Sequence, residues 1–166
     1  MKKQAILSLV GLAGALALSN HAMAMASQSL EEGTCYVFKQ GKLASKEQCE
    51  IFSEQGGNSN FPSYGYENYS VKTPKAGVFH VVNSINCHSA KQCTSKHTLN
   101  KKKAVSQYRK NTKGYQVVSA KQAENLSYEA QESLLRCDKT TDGKLELCTA
   151  NKEMVEYGAE APRWAE

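Results

Sequence analysis

Between Asn68 and Ala123 the chain contains neither aspartate nor glutamate. That absence leaves Lys72, Lys75, Lys91, Lys96, Lys101, Lys102, Lys103, Arg109, Lys110, Lys113 and Lys121 without a local carboxylate, and blocks of one sign say more about partners than a net charge does. After residue 18 there is no apolar run near the roughly 20 residues that a membrane-spanning helix needs, so no transmembrane segment is expected. No cysteine directly follows the first apolar stretch, which argues against a lipid anchor. There is no Gly-x-Ser-x-Gly elbow, no phosphate-binding glycine loop and no His-Glu-x-x-His, so the familiar hydrolase, nucleotide and zinc-protease signatures are missing. No internal repeat is present.

What is there begins with an export signal. Lys2 and Lys3 precede an apolar run from Ala5 to Leu18, a short polar stretch, and two overlapping small-residue patterns, Ala22-Met23-Ala24 and Ala24-Met25-Ala26. This is the layout of a cleaved secretory signal. Residues 1–26 are assigned to it, with a mature start at Met25 or Ser27, and residues 27–166 to a single periplasmic or secreted domain.

Six cysteines, Cys35, Cys49, Cys87, Cys93, Cys137 and Cys148, form an even set in a chain bound for an oxidising compartment, where pairing is the rule. Their spacing points to three near-neighbour disulfides: 35 with 49, 87 with 93, 137 with 148. The last is testable by geometry. A two-residue turn at Asp142-Gly143 would oppose residues whose numbers sum to 285, placing Cys137 against Cys148 as a hydrogen-bonded pair about 5.5 Å apart, and Lys139 against Glu146.

Ala123, Leu126, Ala130 and Leu134 recur at helical spacing and predict a helix over 121–135, with Ser119 and Gln122 as its capping box. Tyr115–Val118, Val78–Val82 and Cys35–Phe38 read as strands, the last turning at Gln40-Gly41; 45–52 reads as either helix or strand. Residues 54–70 mix glycine, asparagine and serine with Phe61, Tyr64, Tyr66 and Tyr69, which reads as a long exposed loop. Two uses compete for it: a tyrosine-based binding loop or a loop pinned back on the core by its own aromatics. The fold expected is therefore α+β: a small antiparallel sheet of four to six strands with one main helix, stapled by disulfides.

The basic middle likewise has two readings. Its charges are neutralised by packed acidic flanks, or they form a face for an anionic partner, whether an acidic envelope component, an acidic protein patch or nucleic acid. A helix capped by Asn100 would set Lys101, Lys102 and Lys103 at its positive end, where cations are unfavourable unless an anion binds. The binding candidates are Lys101, Lys102, Lys103, Tyr108, Arg109, Lys110 and Lys113, with Tyr64 and Tyr66; Tyr108 and Tyr115 are too few for a base-stacking platform. His80, His88 and His97 cluster in sequence with Cys87 and Cys93, but paired cysteines cannot be zinc ligands, so neither metal nor cofactor is called for. For a catalytic alternative, His88 and His97 would exchange protons while Lys91 or Lys96 stabilises a phosphate. His80, alternating within an apolar strand, is expected to be a packed, hydrogen-bonded residue. The sequence thus favours a non-enzymatic binding module of a bacterial cell envelope, inhibitor- or immunity-like, over a small secreted nuclease-like or glycan-acting hydrolase.

Overall fold

A computed structural model describes residues 25–166; the expected signal lies outside the described residues except for Met25 and Ala26, the first residues of a strand. The chain is all-antiparallel. Strands β1 (Met25–Lys39), β2 (Lys42–Asn58), β3 (Ser63–Thr73), β4 (Gly77–Ser89), β5 (Gln92–Leu99) and β6 (Lys102–Lys110) follow as successive hairpins. After an excursion that holds the two-residue β7 (Val117–Val118), β8 (Leu134–Thr140) and β9 (Leu145–Tyr157) complete the set. β9 pairs with β1, and β5 pairs with β6, so β1-β2-β3-β4-β5-β6-β8-β9 close into an eight-stranded barrel.

The expected α+β fold is thus replaced by a β-barrel. The periodic stretch 121–135 is not one helix but two single turns, α1 (Ala120–Glu124) and α2 (Tyr128–Glu132). Ser119 and Gln122 do form the capping box. The break comes from side chains that compete with the backbone: the Asn125 amide donates to the Lys121 carbonyl, and the Ser127 hydroxyl accepts the Ala130 N–H, starting a second helix. Leu134 and Leu135, the end of the expected helix, are instead drawn into β8 against β6. Burial between strands outweighs a weak helical period.

Two further expectations change for local reasons. Residues 54–70 are not a loop but a hairpin of β2 and β3 with a four-residue tip. Gly56 faces Tyr66 across it, and a Cβ at Gly56 would lie 2.7–2.8 Å from the Tyr66 ring, so the absent side chain is what lets the tyrosine lie across the neighbouring strand. Asn100 and Lys101 both have positive φ, 48° and 65°, which makes them the two central residues of a β5–β6 hairpin turn and not a helix start; the argument from a helix dipole beside Lys101, Lys102 and Lys103 lapses. The stretch 45–52 is strand. The turn at Gln40-Gly41 is as expected, with φ of 50° and 77°.

All three disulfides join the expected partners, 35–49, 87–93 and 137–148. Cys137 opposes Cys148 and Lys139 opposes Glu146, but the turn differs. Asp142 does not take a positive φ. Its carboxylate accepts from the Thr140 hydroxyl and the Lys144 N–H, and only Gly143 is left-handed, at 69°. A four-residue loop keeps the sum of 285 and shifts the hydrogen-bonding parity by one. Cys137 and Cys148 therefore sit 4.0 Å apart at Cα, the close spacing of a non-hydrogen-bonded pair. Intact mass with and without reduction is expected to show six alkylatable thiols only after reduction; any thiol that reacts beforehand contradicts these pairings.

Two cores result. Inside the barrel, Cys35, Val37, Cys49, Ile51, Val71, Phe79, Val81, Leu99, Ala104 and Leu147 fill one half. Outside it, Tyr36, Phe38, Leu135 and the 137–148 disulfide pack beneath Tyr115 of the 111–133 excursion. Elsewhere Lys46, Glu50, Lys72, Lys96 and Lys103 are on the outward-facing positions, the reverse of the apolar outer band of a membrane-spanning barrel. No helix among the described residues is long and apolar enough to cross a membrane.

Candidate functional site

Strand alternation makes the barrel's interior change character along its length. One inward-facing step beyond the apolar positions, Ile51 gives way to Ser53, Val71 to Tyr69, Val81 to Asn83, Leu99 to His97, Ala104 to Ser106, Thr140 to Asp138 and Leu147 to Thr149. Every one of these residues can hydrogen-bond. A further step, Gln55, Glu67, Ser95 and Arg136 are exposed although they too face inward, so this half of the barrel is wet where the other is packed. Eight strands enclose just enough width for side chains or for one small ligand.

At the floor of the wet half, three strands that are not neighbours meet through their side chains. The Tyr69 hydroxyl donates to Asp138 Oδ2, and His97 Nε2 lies 2.7 Å from Asp138 Oδ1. Asp138 is buried. Burial, and secondarily the negative charge of Glu67, push its carboxyl from the usual range up to about 7, while burial pushes His97 down. Both effects favour the uncharged forms of the two groups.

The candidates for acid–base exchange do not converge. His97 opposes Asn83 in the β4–β5 register, and His88 lies five residues further along β4, roughly 16 Å away at strand rise. Lys96 is on the opposite face of β5 from His97, and Lys91 is in the tight β4–β5 turn. His80 faces outward, with Nδ1 2.9 Å from the Ser70 hydroxyl, a packed residue as expected. Cys87 and Cys93 are bonded to each other. The one cluster of metal-ligand types among the described residues, Cys137, Glu146 and Cys148, contains a disulfide.

The binding candidates divide. Arg109 is not a surface residue: its guanidinium is bidentate to Glu146, with Nε–Oε1 at 2.6 Å and Nη2–Oε2 at 2.7 Å. Its third nitrogen donates to the Tyr115 carbonyl, and it lies over the Phe38 ring. Tyr108 is half-buried against Val118, Ala123 and Leu134. Lys102 is 3.6 Å from Asp142. Lys96, Lys101, Lys103, Lys110 and Lys113 are exposed, with no carboxylate within ion-pair distance among the described residues. Tyr64 and Tyr66 are on β3, where Tyr66 is in register with Ser84 of β4 and through it with Lys96 of β5.

Comparison with known protein families, characterised proteins and solved structures returns no match. The geometry therefore carries the functional reading. Outward on β5, β6 and β8, Lys96, Lys103 and Lys139 occupy a connected patch: Lys103 opposes Thr98, two residues from Lys96, and Val105 opposes Lys139. Sequence reading took Lys139 only as the partner of Glu146, because it falls outside the acid-free stretch. Asp138 and Tyr69 escaped it because residues 69 positions apart are related only by barrel closure.

Proposed function

We propose that this chain is an exported binding module of a cell envelope, periplasmic or secreted and inhibitor- or immunity-like, which holds an anionic partner on the basic sector formed by β5, β6 and β8. One observation carries this reading. In the ring of eight strands, β5 stands opposite β1 and β6 opposite β2, so Lys96, Lys101 and Lys103 lie across the barrel from Glu32, Glu50 and Glu54, while Lys72 on β3 is paired with Glu50. The acidic flanks pair with Lys72, Lys102 and Arg109 and, among the described residues, leave Lys96, Lys101, Lys103, Lys110 and Lys113 without an ion pair. Three disulfides suit an oxidising compartment.

Within this reading an acidic protein is favoured over nucleic acid. Tyr108 packs internally and Tyr115 covers the outer core, so neither tyrosine of the acid-free stretch beyond β3 is presented to a base. Valines 82 and 105 lie among the lysines instead. The hydrolase reading loses its catalytic pair to the separation of His88 from His97.

Replacing Lys96, Lys103 and Lys139 together by glutamate is expected to weaken retention on an immobilised sulfated polysaccharide by about tenfold or more, and salt should weaken the wild type in parallel. The same reversal at Lys39, Lys42 and Lys46, with equal net charge, is expected to have little effect. Equal losses from the two triples would show that only overall charge matters and would remove the sector as a site.

A further inference from the structure

The barrel is closed between β5 and β6 by two residue pairs only, Thr98 with Lys103 and Leu99 with Lys102. Beyond them the strands part: the far end of β6 pairs with β7 through Tyr108 and Arg109, and no strand among the described residues lies against β5 from Gln92 to His97 on the side away from β4. The parity of this edge is determined. Cys87 and Cys93 are directly opposed with Cα atoms 4.0 Å apart, a non-hydrogen-bonded pair. Cys93, Ser95 and His97 therefore direct their N–H and C=O groups away from β4, toward the open side. Leu99, next in the series, directs its own toward Lys102 of β6, as the tight Asn100-Lys101 turn requires.

Such an edge invites strand addition unless something blunts it. The barrel has a second unpaired edge, on the far half of β9, and there the blunting is visible. The β1–β9 register shifts twice, and Asn151 has a φ of 51°; bulges of this kind break the row of donors and acceptors. From Cys93 to His97 the β4–β5 register runs without a shift. What guards β5 is charge: Lys91 and Lys96 on its own hairpin, Lys101 and Lys103 beyond its end. Lysines repel an ordinary or basic strand and attract an acidic one.

We propose that the free edge of β5 binds an acidic segment of a partner protein in extended conformation, as an added strand paired to Cys93, Ser95 and His97. This rests on the basic-sector reading above and makes its partner specific: backbone hydrogen bonds supply register, and the lysines select the charge.

The test uses the whole exported protein and a synthetic peptide of alternating glutamate and threonine, with a second peptide N-methylated at alternate residues so that charge is kept and strand pairing is lost. The parent peptide is expected to bind with salt-sensitive affinity and to slow hydrogen exchange at the amides of Cys93, Ser95 and His97. N-methylation is expected to weaken binding by about tenfold or more. Ser95→Pro, which removes an edge donor without touching the β4 pairing, should do the same while leaving polysaccharide retention unchanged. If the N-methylated peptide binds as well as the parent and retention on polysaccharide persists, strand addition is overturned and the charged sector stands. If neither peptide nor polysaccharide binds, both fall. If the protein alone associates through this edge, so that Ser95→Pro dissociates it in sedimentation, the occupant is a second copy and the proposal is overturned.

Discussion

Replacing Glu146 by alanine is expected to destabilise the fold by about 3–5 kcal/mol, measured by chemical denaturation with the disulfides intact. The reason is what is left behind. Glu146 is 2% exposed and accepts from Arg109 Nε, Arg109 Nη2 and Gln107 Nε2. Without it, a guanidinium that is itself buried against Phe38 and beneath Tyr115 keeps one carbonyl partner and no counter-charge. Against a typical total of about 5–15 kcal/mol, such a loss exposes the outer core. Removing both charges is a different matter. The double variant Arg109→Met, Glu146→Leu is expected to recover most of the loss, because two desolvated ions are exchanged for apolar packing. A double variant as unstable as Glu146→Ala would mean that packing around the pair, and not an orphaned charge, sets the cost. The result also bears on function, since it separates Arg109, a structural cation, from the exposed lysines that follow and precede it in sequence.

The second large effect is a dependence on pH centred on Asp138. Its folded carboxyl titrates at about 7 against an ordinary 3.8, so between those values the native state binds more proton than the unfolded chain. Stability from this group is full below about pH 4 and is lost as pH rises through 7. The shift of about three units sets a scale of roughly 2–4 kcal/mol. His97, pushed down from 6.5 by burial, acts in the opposite sense: its contribution is present above pH 6.5 and is lost as pH falls. Asp138→Asn keeps the shape and an acceptor for the Tyr69 hydroxyl. It is expected to flatten the decline between pH 5 and 8, leaving the variant more stable than the wild type at pH 8. If wild type and variant lose stability in parallel across that range, Asp138 is not the titrating group. Glu67→Gln should lower the midpoint, because its negative charge is the lesser of the two causes that raise Asp138.

Local chemistry was readable wherever a few adjacent residues decide the outcome. The Gln40-Gly41 turn, the Ser119–Gln122 capping box and the hydrogen-bonded His80 follow from side chains that act on near neighbours. The hairpin sum that opposes Cys137 and Cys148 also survived, because it depends on loop parity, although the loop has four residues where two were expected. The tyrosine-rich segment misled because glycine and asparagine usually mark loops, whereas here Gly56 makes room for the Tyr66 ring within a strand pair. The 121–135 pattern misled because Leu134 and Leu135 at its end are used by β8, paired to a strand that no helical window can see.

The sequence by itself determined the segregation of charge along the chain, a property of order, and its spacing pointed to the cysteine pairing that the fold contains. Tertiary structure alone decided where around the barrel the segregated charge lies, because only closure of β9 onto β1 turns position in the chain into position around a ring. It also decided which cations remain free. Arg109 and Lys103 look alike in a basic run, but strand alternation and the overlying 111–133 segment bury the first against Glu146 and leave the second in water.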